Sequence, residues 1–105
     1  MKNYKISEIK EILTLTGLPV AYDHFKEKTP LPFVSFIQAG TININADNKA
    51  YYTANKYNIE LYTSEKDEKT EDKIQEILNN NEIPWRKSED IRIETENITE
   101  IIYYI

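Results

Sequence analysis

The chain has no cysteine and a single histidine, His24. The first absence excludes disulfides, thiolate metal sites and a cysteine nucleophile together, and it suits a reducing compartment. The second leaves any zinc site to be built almost entirely from carboxylates. Glycine occurs only as Gly17 and Gly40, so no glycine-rich loop is available to cradle a phosphate. Two glycines and four prolines in 105 residues also exclude a linker-like or low-complexity chain. No apolar run approaches the ~18 residues that span a bilayer, and the opening MKNYKISEIKEIL lacks the apolar segment of a secretory signal. Cations are in deficit: 13 Lys and Arg face 18 Asp and Glu, for a formal net charge of −5. Without clustered Lys and Arg to grip phosphates, sequence-specific nucleic-acid binding is not expected, and neither is membrane association.

The charge that is present is unevenly placed. Residues 1–59 hold seven Lys against five acidic groups (+2), and residues 60–105 hold six Lys and Arg against thirteen (−7), which together make the −5. Such an imbalance offers front-to-back pairing between copies, beside the plainer reading of acidic helices as solvated faces. The length bounds a single domain with one modest core.

Periodicity gives the elements. Ser7 is placed to cap a helix running to about Thr16, with Ile9, Ile12, Leu13 and Leu15 on its apolar side and Gly17 and Pro19 ending it. VAYDHF (20–25) reads as a short strand, and FVSFIQA (33–39) as a central strand that is apolar on both parities. GTININADNK (40–49) has the Asn and Asp content of a loop, in which the apolar Ile42 and Ile44 are out of place. From Ala50 to Thr63 apolar and polar residues alternate far beyond an average strand of ~5–6 residues, which suggests a bend, a bulge or a projecting arm. A charged helix from Asp67 to Asn80 follows, with Ile74, Ile77 and Leu78 as its narrow buried stripe. Strands around 83–94 and from Asn97 to the last residue complete the order α-β-β-β-α-β-β. The expected class is α+β: one domain (1–105), an antiparallel or mixed sheet, and two helices. Ile9, Leu13, Phe33, Phe36, Ile59, Leu61, Ile74, Leu78 and Ile93 are the expected core.

The residue types that carry catalytic chemistry are not grouped. His24 beside Asp23 reads as a surface pair, and Ser35 and Ser88 lack the elbow glycines of a nucleophile turn. NADNK has Asx spacing but neither the turn glycine nor the closing glutamate of a calcium loop. No catalytic residue, metal ligand or cofactor is assigned. The aromatics are more informative. Tyr51 and Tyr52, Tyr57 and Tyr62, Trp85, then Tyr103 and Tyr104 recur along strands, where adjacent residues face opposite ways. Tyr and Trp favour protein interfaces, although strand propensity alone also accounts for them.

GLPVAYDHFKEKTPLPFVSF, the Asn-rich stretch, YNIELYTSEKDEKTEDKIQEIL, IPWRKSE and the closing ITEIIYYI together resemble the small tail-terminator, or tail-completion, proteins of long-tailed bacteriophages and prophages. The resemblance covers about Leu18 to Ile105 and rests on packing patterns, with no catalytic fingerprint among them. It implies a non-enzymatic virion subunit that forms a homo-oligomeric ring, often a hexamer and in some cases only on the tail tube. Its partners would be its own copies, the tail-tube protein and a head or neck connector protein. It would work in the host cytoplasm during assembly and thereafter in the virion. A head-side completion or adaptor protein of the neck, and a small regulatory protein-binding domain, are the alternatives. The expected interface is Ile42, Ile44, Asp47 and Asn48 on the loop, with Tyr51 and Tyr52 at its base. The loop is expected to be mobile until a partner orders it.

Overall fold

A computed structural model describes residues 3–46 and 49–105, with the backbone alone described across 44–46 and 49–52. The first helix, α1 (Ile6–Thr14), starts two residues earlier than Ser7 capping would place it, with Lys5 as its N-cap. The Glu8 carboxylate reaches back to accept the Lys5 N–H at 3.0 Å, satisfying an otherwise orphaned donor at the helix start. Gly17 turns the chain out of the helix at φ +80°, a conformation costly for any other residue. Ile9 and Leu13 are buried, whereas Leu15, assigned above to the apolar side, is 71% exposed just past the helix end.

Strands β1 (Val20–Tyr22), β2 (Phe33–Ala46) and β3 (Lys49–Thr63) follow. Then come helix α2 (Glu68–Asn80), the short strands β4 (Arg86–Lys87) and β5 (Ile91–Ile93), one 3-10 turn, and β6 (Ile98–Tyr104). Asp67 caps α2, its carboxylate accepting the Thr70 N–H at 3.1 Å and the Thr70 hydroxyl at 2.7 Å. These two hydrogen bonds, the hydroxyl's first, hold the Asp67 carboxyl below its ordinary value. The single strand expected over 83–94 is two short ones, so the described order has six strands rather than five.

The sheet runs β1-β2-β3-β6-β4, with β5 also on β6. It is mixed. β1 pairs with β2 in parallel, Val20 opposite Val34, and the other pairs are antiparallel. A parallel pair needs a crossover rather than a tight turn, and residues 23–32 provide it as a strap.

One sheet face presents Val34, Phe36, Tyr57, Ile59, Leu61, Ile101 and Tyr103, all buried, to Ile9 and Leu13 of α1 and Ile74 and Leu78 of α2. Full burial of each large apolar side chain there is worth about 1.5–3 kcal/mol. Phe33 and Ile93, expected in this core, are only half-buried. Phe33 has the opposite parity from Val34 and Phe36, and its ring lies against Tyr62 and Phe25 on the far side of the sheet. Ile77 is likewise half-buried. Inside the helix face, Glu71 is buried with its oxygens 2.9 Å from Lys66 Nζ and 3.1 Å from Lys87 Nζ. Lys66 also binds Asp90 at 2.9 Å. Hydrogen bonds to Asp90 and then Glu71 raise the Lys66 pKa.

The expectation of a loop over 40–49 is corrected. β2 continues to Ala46 and β3 begins at Lys49, so residues 40–46 and Lys49 are strand, while Asp47 and Asn48 lie outside the described residues. Cross-strand pairing satisfies backbone groups that local Asx chemistry would otherwise have turned back on themselves.

Candidate interaction surface

The two long strands form an arm. β6 pairs with β3 over Asn58–Thr63 and β1 with β2 over Val34–Phe36. Beyond those ladders the β2–β3 pairing carries on with no other strand beside it among the described residues, from Thr41 opposite Asn55 to Ala46 opposite Lys49. Six residues of β2 at ~3.3 Å each project about 20 Å, in keeping with a molecule measuring 51 × 27 × 26 Å. Two-stranded ribbons are marginal by themselves, so the anchoring of the base matters. Asn55 provides much of it: its N–H donates to Asn3 Oδ1 at 2.8 Å, and its Nδ2 to the Tyr4 carbonyl at 3.0 Å. Tyr57 Oη donates to that same carbonyl at 2.7 Å. Burial, opposed by the Asn55 hydrogen bond, raises the Tyr57 pKa. From β2, Gln38 Nε2 donates to Asn55 Oδ1 at 3.1 Å, and the Gln38 N–H donates to Tyr22 Oη at 3.0 Å.

Two register shifts shape the arm. Gln38 faces Tyr57 and Thr41 faces Asn55, so Ala39 and Gly40 together oppose Lys56. This bulge needs Gly40 at φ +102°. Further out, Ile44 faces Tyr52 while Asn45 faces Ala50, leaving Tyr51 as the extra residue of β3. Between the shifts, alternation separates two sides. Ile42 faces Ala54 on one, and Asn43 faces Thr53 on the other, with the Thr53 hydroxyl donating to Asn43 Oδ1 at 2.9 Å. Ile42 is 51% exposed, an unusual state for isoleucine in a strand.

Of the residues expected at an interface, the structure therefore places Ile42 on an open side of the arm. Ile44, Tyr51 and Tyr52 fall in its paired backbone, and their side chains lie outside the description. Asp47 and Asn48 lie outside the described residues altogether. Sequence reasoning missed the anchors Asn3, Tyr4, Gln38 and Asn55, which carry no pattern of their own. Gly40 was the one available signal for a bulge. Of the tyrosines considered for an outward role, Tyr57 and Tyr103 are in the core. Burial, offset by the Gln75 hydrogen bond, moves the Tyr103 pKa up to about 12.

The second feature lies on the sheet face away from the helices. There the strap, β2, β3 and the start of β6 enclose a cleft of about 540 Å³. It brings Asp23, His24 and Ser35 to one cavity. The Ser35 hydroxyl nevertheless donates to Glu60 Oε2 at 3.1 Å, and His24 Nδ1 lies 3.1 Å from Asp23 Oδ2 on the open surface. That arrangement supplies no activated nucleophile, because the serine proton is directed to a carboxylate that the imidazole does not orient. The Tyr62 hydroxyl also donates to Glu60 Oε2, at 3.0 Å. Burial first, then Glu100 and Glu60, push the Tyr62 pKa well up, so the phenol keeps its proton. Ser88 is occupied too, donating to the Glu89 carbonyl and accepting the Ile102 N–H. Among the described residues no group of three or more His, Asp or Glu could hold a metal ion, and no helix is long and apolar enough to cross a membrane.

No protein-family model, curated protein or solved structure matches the chain.

Proposed function

We propose that the protein is a phage or prophage structural subunit of the tail-terminator kind, which closes the tail tube as a ring of its own copies and joins it to the head. The observation that carries this reading is the arm, a braced ribbon with open edges, two built-in bulges and an exposed Ile42. An isolated monomer gains little from such an element, since beyond Asn55 its edges lie against no other strand among the described residues. A ring gains a great deal. A head-to-tail interface must join two different surfaces of one subunit, and an arm that adds strand edges or apolar side chains to a neighbour meets that need. In this reading the protein is not an enzyme, its partners are its own copies, the tail-tube protein and a neck connector, and it ends in the virion.

The test is assembly with purified tail tubes, read by electron microscopy and native mass spectrometry. Wild-type protein should cap tubes as a ring. The double change Ile42→Ser and Ile44→Ser should leave the free subunit's melting temperature within about two degrees, as for surface substitutions, and abolish capping. Capping by the double variant, or no binding of wild type to tubes, would refute the reading.

A further inference from the structure

The strap cleft has a chemistry of its own, separate from the arm and independent of the ring reading. Three aromatic rings form a continuous wall. Phe25 meets Phe33 edge-on at 5.0 Å, and Phe33 lies against Tyr62 at 5.1 Å with 32° between the planes. Around them stand the carboxylates of Asp23, Glu27 and Glu96, against a single lysine, Lys28, and His24, whose Nδ1 lies 3.1 Å from Asp23 Oδ2. Behind the wall Glu60 accepts both the Tyr62 and the Ser35 hydroxyls on one oxygen, so the ring and the serine are held in place before any ligand arrives. The cavity is larger than one side chain and open to solvent.

We propose that this cleft receives an arginine side chain presented by a partner protein. A guanidinium is planar, stacks on aromatic faces, and sheds its hydration more readily than an ammonium. Its fork also matches carboxylates at the rim. A neutral apolar side chain would find the wall but leave the rim carboxylates without a cation. An anionic ligand would be repelled by three carboxylates. The volume leaves room for backbone on either side of the arginine, as an extended segment requires.

The probe is the blocked tripeptide acetyl-Ala-Arg-Ala-amide, titrated into the whole protein and followed by backbone amide NMR. Its citrulline analogue, equal in shape and without charge, is the control. The arginine peptide should shift amides of Phe25 to Thr29, Ser35 and Tyr62 with a millimolar dissociation constant, and the citrulline peptide should not. Glu96→Gln lies on an exposed turn and leaves the core untouched; it should weaken binding roughly 2- to 5-fold, the scale of one exposed ion pair. Phe25→Ala should weaken it further by removing one end of the wall. The proposal is overturned by an absence of shifts at these residues, by equal shifts with citrulline, or by undiminished binding in both variants with the fold intact.

Discussion

Replacing Gly40 with alanine tests whether the arm is a local unit that opens separately from the core. Gly40 sits at φ +102°, and a methyl group built there meets no atom within 4 Å. Sterics with neighbours therefore contribute nothing, and the whole cost is that of holding an L-residue in a backbone region it avoids, about 1–3 kcal/mol. Beyond the bulge the β2–β3 ladder has no other strand beside it among the described residues, so the cost should fall on arm opening and leave global unfolding nearly unchanged. Native-state amide exchange reads this directly. Amides of Ile42 and Thr53 should exchange roughly 5- to 150-fold faster in Gly40→Ala, the equivalent of 1–3 kcal/mol, while those of Ile59 and Ile101 keep their protection. Deleting Gly40 provides the complement. It removes the extra residue and leaves Thr41 free to face Asn55 without strain, so arm exchange should not accelerate. If Gly40→Ala lowers protection of Ile59 and Ile101 as much as that of the arm, the arm is part of the core's cooperative unit. If it changes nothing, the bulge is not strained toward glycine. Either result refutes the reasoning.

Leu61 is 1% exposed, and Leu61→Ala should lower stability in denaturant titration by about 2–5 kcal/mol; Ile77→Ala, at a half-buried site, should cost less. Lys66→Met with Lys87→Met leaves the buried Glu71 carboxylate without a cation, so the double variant should lose about 3–5 kcal/mol by thermal melting, and adding Glu71→Gln should restore part of it. Tyr103 has its pKa moved from 10.0 to about 12 in the folded protein, so the fold favours the neutral phenol. Its contribution is complete below pH 10.0 and is lost as pH rises toward about 12. Stability measured against pH should decline over that window, and Tyr103→Phe should flatten the decline.

Some of this was legible because it depends on near neighbours in the chain. The helix around Ile74 and Leu78 is written in a 3.6-residue stripe with acidic residues at its head. The unusual length of β3 is written in its alternation, and the α+β class in the order of such signals. The seven core residues from Ile9 to Leu78 that were named correctly all sit on faces that periodicity defines. What failed was decided across the chain. The stretch 40–49 has turn chemistry in isolation, yet over residues 41–46 pairing with β3 gives the backbone groups better partners than their own Asn side chains do. Phe33 reads as core, but the face it occupies is set by which side the helices cover, and no single strand encodes that choice. The parallel β1–β2 pair, the bulge opposite Lys56 and the cleft beneath the strap all arise where residues far apart in sequence meet. Local propensity determined the elements and much of the core; the register between β2 and β3, and the side of the sheet that the helices left open, were determined only when the chain closed on itself.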